Sequence, residues 1–257
     1  TVNTDVAEVE AEQQQVNLTR FSLFFPEKRE FFLENQGIFA FGTTQTGGAG
    51  DAPLLFYSRR VGLERGLAVP IDAGARCTGR AGRYSLGVLN IQSDDSTAAA
   101  APASNFSVLR VRRDLLRRSA IGLLATGRTS GNGGALDNAA YGVDGTFAFF
   151  GNLNVNTYWA QTESRGTRGS NSSYRGQLDY AGDRYGLQAE RLSIGEAFNP
   201  GVGFVRRADM VKSSANARFS PRIESSRRIR RLFYSAGVNH VENIRGRLES
   251  RARDAEF

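Results

Sequence analysis

The sequence predicts an all-β chain, folded as an antiparallel up-and-down transmembrane β-barrel with a short N-terminal helix. Three observations predict it. First, the connections alternate in length. Tight turns read at Arg80-Ala81-Gly82-Arg83, Asp114-Leu115-Leu116-Arg117, Phe149-Phe150-Gly151-Asn152 and Ala181-Gly182-Asp183-Arg184. Between them lie the polar stretches Ser93–Ser104, Thr129–Ala139 and Glu163–Ser172. Short turns at one end and longer loops at the other mark outer-membrane barrels. Second, several segments alternate apolar and polar residues with period two, as a wall between lipid and water requires. Third, 29 glycines and only 6 prolines in 257 residues suit a long meander. No run of about 18 apolar residues exists, so a transmembrane helix is excluded, whereas barrel strands escape a hydropathy window.

Along the chain, residues 1–53 read as a leading segment and residues 54–257 as the barrel region. Thr1–Leu18 is polar and acidic, with no basic-plus-apolar leader at Thr1, which predicts a mature chain or a fragment. Phe21–Phe41 is rich in phenylalanine. Pro26 followed by Glu27 suits a first helical turn and Gly37 can end it, so a helix is predicted over Pro26–Asn35, burying Phe31 and Phe32. This segment is expected to plug the lumen or seal the periplasmic rim. Gly42–Pro53 is a glycine-rich loop without the Gly-Lys-Ser/Thr of a phosphate cradle.

Strands are then expected at Leu54–Gly62, Pro70–Gly79, Arg83–Gln92, Asn105–Arg113, Ser119–Arg128, Tyr141–Phe149, Leu153–Thr162, Tyr174–Tyr180 and Tyr185–Ile194. Weaker ones follow at Val202–Met210, Ser213–Ser220, Leu232–Val241 and Gly246–Phe257. In the last four, Met210–Ser213 and Glu242–Gly246 read as short connections, and Gly195–Gly201 and Pro221–Arg228 as long ones. The phase shift from Tyr185 and Leu187 to Leu192 and Ile194 predicts a bulge near Glu190. About 12–13 strands result. Bacterial barrels have even numbers, and Arg251, Arg253 and Ala255 make a poor closing strand, so an incomplete, open sheet is expected.

Period two sorts the residues by face. Tyr141, Val143, Phe147, Phe149, Leu153, Val155 and Trp159 are the candidate lipid-facing row. Arg110, Arg112, Arg175, Gln177, Asp179, Gln188 and Glu190 are the candidate polar lumen row. Tyr57, Tyr84, Phe106, Tyr141, Phe149, Trp159, Tyr174, Tyr185, Phe204 and Tyr234 are expected to form interfacial girdles. A soluble β-sandwich binding module, with the same apolar rows turned inward, is the alternative fold.

The formal charge is +7, with lysine only at Lys28 and Lys212. The arginines are spread over most strands and turns, which suits a polar lumen or phosphates at a rim. Nucleic acid, reached through Arg110–Arg118 and Arg227–Arg231, is not an expected partner. Outer-membrane lipid and lipopolysaccharide are. One cysteine, Cys77, and one histidine, His240, supply neither a disulfide framework nor a metal set. No cofactor is expected. Glu27, Glu30 and Glu34 have the spacing of a solvated helix face rather than of a glycosidase pair, and no hydrolase motif appears.

Several segments resemble a family of bacterial outer-membrane proteins. They are Thr1-Val2-Asn3-Thr4-Asp5, Gln15-Val16-Asn17-Leu18-Thr19-Arg20-Phe21 and Leu23-Phe24-Phe25-Pro26-Glu27-Lys28-Arg29-Glu30-Phe31-Phe32-Leu33-Glu34. Further on come Ser58-Arg59-Arg60-Val61-Gly62, Ala73-Gly74-Ala75-Arg76, Thr78-Gly79-Arg80, Val111-Arg112-Arg113-Asp114, Tyr174-Arg175-Gly176, Phe198-Asn199-Pro200 and Gly203-Phe204-Val205-Arg206-Arg207. The family's barrel is a domain of unknown function that often follows a family-9-type carbohydrate-binding module, which this sequence does not contain. The resemblance implies an outer-membrane location in a Gram-negative cell and a non-enzymatic, porin-like channel, importer or surface scaffold. A carbohydrate link is what the family's usual partner module implies, with a carbohydrate-active hydrolase component as the alternative, and the net positive charge favours an acidic solute. The family transfers no catalytic residue, and the oligomeric state is left open.

Overall fold

The computed structural model describes residues 23–42, 50–64, 67–131, 137–223 and 230–257. The expected leading segment Thr1–Leu18 and most of the glycine-rich loop lie outside them. The elements, in order, are helix α1 (Glu30–Leu33), two 3-10 turns (Gln36–Phe39 and Ser58–Arg60) and thirteen strands. β1 (Leu63–Glu64) and β2 (Leu67–Ala68) form a minimal pair. The rest of the strands are β3 (Ile71–Ala81), β4 (Tyr84–Ser93), β5 (Ser104–Leu116), β6 (Ser119–Ser130), β7 (Asn138–Phe149), β8 (Leu153–Ser164), β9 (Ser172–Ala181), β10 (Tyr185–Ile194), β11 (Met210–Phe219), β12 (Tyr234–Glu242) and β13 (Leu248–Glu256). They make one 11-stranded sheet in sequence order, every neighbouring pair antiparallel. The all-β up-and-down meander is therefore as expected. The sheet is open, with β3 and β13 as its edges. Eleven is an odd number, so β3 and β13 run in the same direction, and a direct seam between them would be parallel.

Alternating connections hold from β3 to β10. Turns of two or three residues join β3 to β4, β5 to β6, β7 to β8 and β9 to β10, and residues 94–103 and 165–171 form longer loops, with β6 and β7 likewise farther apart in sequence. The C-terminal third departs from expectation. Val202–Met210 is not a strand but part of a connection over 195–209, and Met210 opens β11 without a turn at Met210–Ser213. β11 ends at Phe219 and β12 begins only at Tyr234, a wide separation at the tight-turn end. Leu54–Gly62 is not a strand either; it holds one bridge, Leu54 to Phe204, and the turn Ser58–Arg60. These two apolar runs meet each other inside the molecule, so their hydrophobicity reports a core and not a wall.

The bulge expected near Glu190 is absent. β10 pairs with β9 and β11 in unbroken register. Tyr185 and Leu187 point to the exposed face, whereas Leu192 and Ile194 are fully buried on the other. One strand thus serves two apolar environments, and this, not an inserted residue, changes the phase.

The helix expected over Pro26–Asn35 shrinks to the single turn Glu30–Leu33. Arg29 is extended, and Asn35 takes a left-handed conformation at φ 52° that ends the run. The Glu27 carboxylate accepts the Lys28 and Arg29 backbone N–H groups at 2.9 and 3.0 Å, which holds the chain out of helix just before α1. Phe32 is buried and Phe31 half-buried.

Residues 23–42 and 50–64 pack across one face of the sheet, here called the inner face. Phe32, Phe39, Phe41, Leu55 and Val61 meet Leu89, Ile91, Phe106, Val108, Leu124, Tyr158, Leu192, Ile194 and Met210. Each large apolar side chain buried this way contributes about 1.5–3 kcal/mol before conformational entropy. Gly87 permits the close approach, since a Cβ there would lie 2.9 Å from both Ile38 and Phe39. The sheet residues in this core cluster toward the long-connection ends of their strands. The segment therefore covers the long-connection half of the inner face and leaves the tight-turn half open.

Candidate functional site

The two faces of the sheet differ in chemistry. The opposite, outer face carries Leu86, Val88, Leu109, Ile121, Leu123, Val143, Leu187 and Val238, all exposed. Every residue of the expected lipid-facing row lies on this face. Val143 pairs with Trp159, Phe147 with Val155 and Phe149 with Leu153, while Tyr141 stands two residues before Val143 on β7. Val143 is 50% exposed and Trp159 42%.

Outer aromatics gather at two levels. Tyr185, Phe219 and Tyr234 are register partners near the tight-turn end, with ring centroids 5.3 and 6.2 Å apart. Tyr84 and Phe149 lie near the same end of their strands. Trp159 pairs with Tyr174 nearer the long loops, with the Tyr141 ring 6.2 Å from Trp159. Along β7, Tyr141 and Phe149 are separated by about 27 Å at the usual strand rise. Three residues expected in the girdles are elsewhere. Phe106 is buried on the inner face, and Tyr57 and Phe204 pack against each other with tilted rings 5.4 Å apart, beside Phe24 of the N-terminal segment.

The inner face carries the whole expected polar row. Arg110 is 1% exposed and forks onto Asp144, with Nη2 donating to Oδ2 at 2.9 Å. Gly42 N–H donates to the same oxygen at 3.3 Å, and the guanidinium lies 5.7 Å from the Phe41 ring centre. Gly122 makes the pair possible: a Cβ there would stand 2.7 Å from Arg110 Nη1 and 2.8 Å from Asp144 Oδ1. Arg175 Nε donates to Glu190 Oε1 at 2.7 Å. Arg112 stands farther toward the turns and is exposed.

Between β8 and β13 the inner residues form two register-linked rows. One runs Asn154, Asp179, Gln188, Asn216, Gly237, Asp254. The other runs Asn156, Gln177, Glu190, Ser214, Asn239. Apart from Glu190, their side chains form no hydrogen bond or ion pair among the described residues, and Gln177, Gln188, Asn216, Asn239 and Asp254 line a shallow cleft of about 200 Å³. Asp144, Asn216, Asn239 and Asp254 were not singled out from the sequence. Counting every second residue from Asn154 and Tyr158 along each strand would have found Asp144 and Asn216.

At the covered half, segments distant in sequence converge. Arg29 donates to both Glu27 oxygens, to Val61 O at 2.9 Å and to Ser58 O at 2.9 Å. Arg59 donates to Pro26 O, and Arg60 to Gly203 O. Tyr57 donates to Phe25 O at 2.6 Å. Asn138 ties in the 195–209 connection through Asn199 O and Gly201 N–H. Burial opposes ionisation of the Glu27 carboxyl, but hydrogen bonds from Arg29 and Ser58 outweigh it and hold its pKa at about 2. Of the other two acids in that stretch, Glu34 pairs with Arg76 and Glu30 is exposed. Glu27 and Glu34 are thus each held by an arginine, and Glu30 faces outward.

These features define an antiparallel β-sheet protein with one apolar exposed face and one face that is half covered and half polar. The chain matches no protein-family model, no curated protein and no solved structure.

Proposed function

We propose that the chain is the wall and plug of a non-enzymatic outer-membrane β-barrel, of the group it resembles, acting as a channel or importer. The carrying observation is the outer face: a predominantly apolar band over β4–β12, interrupted by Arg191 and His240 and turning polar at Asn90 and Ser107, bordered by aromatics at two levels, on strands of 9–13 residues. A transmembrane strand needs about 9–11 residues, and the apolar band of such barrels is about 25 Å tall. A water-exposed sheet has no use for so large an apolar surface. Residues 23–42 and 50–64 obstruct the long-connection half, so the resting state is closed, with a polar vestibule open at the tight-turn end.

The net charge alone favours an acidic solute, but the vestibule rows favour an uncharged, hydroxyl-rich one. Amides offer both donors and acceptors, and Asp179 and Asp254 have no cationic partner among the described residues. A neutral saccharide fits that chemistry.

Two results are expected. The protein fractionates with outer membranes and migrates faster unheated than boiled on a gel; a monomer soluble without detergent would refute the reading. Val143→Arg, at mid-height of the outer face, destabilises the bilayer-embedded protein by about 2–4 kcal/mol in denaturant titrations. On a hydrated face the same change stays within about 0.5 kcal/mol.

A further inference from the structure

We propose that the adjoining β3–β4 and β5–β6 turns form a binding site for the phosphate of an anionic phospholipid; this rests on the membrane reading above. The turns abut, since Asp114 N–H donates to Arg83 O at 2.8 Å. Arg80, Arg83, Arg112, Arg117 and Arg118 line an open depression of about 740 Å³ between them. Arg80 and Arg112 flank Ser85 on neighbouring strands, and Arg83, Arg117 and Arg118 stand in the two turns, so two strands and two turns present guanidinium groups to one place. Asp114 is the one carboxylate among the lining residues, and it lies 3.8 Å from Arg112 with both side chains half exposed. Arg80, Arg83, Arg117 and Arg118 form no ion pair or side-chain hydrogen bond among the described residues.

The other turns show the contrast. Near the β9–β10 turn, Arg222 and Arg231 meet Asp183 at 3.0 and 3.5 Å, and Arg218 donates to Gly182 O. Arg218, Arg222 and Arg231 are held from within, leaving Arg184 of that turn without an ion pair or side-chain hydrogen bond among the described residues, whereas four such arginines gather around one depression at β3–β6 and await an anion from outside. Guanidinium forks match phosphate oxygens and hold them bidentately. The neighbours point to a lipid as the source. Leu116, thrown outward where the β5–β6 register shifts, is 66% exposed beside the arginines. Tyr84 begins the outer apolar row and carries the Arg113 guanidinium 5.3 Å from its ring centre. An acyl chain would lie on Leu86, Val88 and Leu109 while its headgroup reaches the turns. Free phosphate or a nucleic acid has no use for that apolar border.

The test is a binding isotherm of phosphatidylglycerol to the chain in phosphocholine micelles, with phosphatidylcholine as reference. Each surface arginine contributes about a fivefold factor. The triple variant Arg83→Gln/Arg117→Gln/Arg118→Gln is therefore expected to weaken phosphatidylglycerol binding by about 100-fold and to leave heat-modifiable migration unchanged. The corresponding lysine triple keeps most of the affinity. Equal binding of both lipids, an unaffected glutamine triple, or displacement of the lipid by millimolar inorganic phosphate or by duplex DNA overturns the proposal. A protein that needs detergent yet does not discriminate the lipids fails this proposal alone. One that is soluble without detergent fails the membrane reading and this with it.

Discussion

Asp144→Ala is expected to destabilise the protein by about 3–5 kcal/mol, among the largest effects of any single change. The substitution leaves the Arg110 guanidinium buried without its counter-charge. Arg110 is 1% exposed, its Nε already has no acceptor, and Gly42 N–H loses a partner as well. Water cannot readily replace the carboxylate, because Phe41 covers the pair. Gly122→Ala should reproduce much of the loss by a different route, forcing the guanidinium and carboxylate apart while both remain. Removing both partners as Arg110→Met/Asp144→Ala should recover part of the stability, since a missing pair costs less than a broken one. Denaturant titration of all four proteins checks this. An Asp144→Ala loss below about 1 kcal/mol would show that the pair is hydrated rather than sealed.

The second large effect is expected at Arg29. This side chain joins residues 26–34 to residues 58–62 through Glu27, Ser58 O and Val61 O, and its guanidinium lies 4.2 Å from the Phe32 ring centre. Arg29→Ala strands a buried carboxylate and two carbonyls, at a cost of about 3–5 kcal/mol. Arg29→Lys restores the charge but not the fork, so it should recover only part. The loss falls on the covering segment, so protease cleavage within residues 23–64 should rise while the sheet stays intact. In planar bilayers the parent is expected to stay shut and Arg29→Ala to open intermittently. Steady, identical conductance of both would refute the assignment of this segment as a plug.

The same pair sets a pH dependence. Glu27 titrates near 4.5 in the unfolded chain and at about 2 in the folded one. Its folded value is depressed, so the stabilisation is fully present above about pH 4.5 and is lost as pH falls toward 2. Allowing for solvent screening, roughly 2 kcal/mol should disappear across that window. Glu27→Gln should flatten the dependence there; a slope equal to the parent's would place the titration elsewhere.

Much of the sheet was legible in the sequence because strand period is a local property. Tyr141, Val143, Phe147 and Phe149 declare their shared face by position alone, and glycine with short polar residues marks the turns. The polar row from Arg110 to Glu190 followed by the same alternation. Where both faces of a strand are apolar the rule fails. Leu192 and Ile194 look like a phase error until the covering segment is seen, and Phe106 and Phe204 look like girdle residues for the same reason. Pairings were also hidden: alternation puts Asp144 on the polar face, but nothing local joins it to Arg110, 34 residues away, or Ser58 to Arg29.

By itself the sequence determined the alternation of faces, the rhythm of the connections from β3 to β10, and hence an antiparallel meander with one apolar side. These depend on backbone pleat and turn chemistry, which act between near neighbours. Only the tertiary structure decided that residues 23–42 and 50–64 cover the long-connection half, that two apolar runs make a core rather than strands, and that arginines at one pair of turns lack counter-charges. Those outcomes depend on contacts across as many as 161 positions, such as Lys212 to Asp51. No local pattern encodes them, because burial and pairing of charge are settled by what the whole chain brings together.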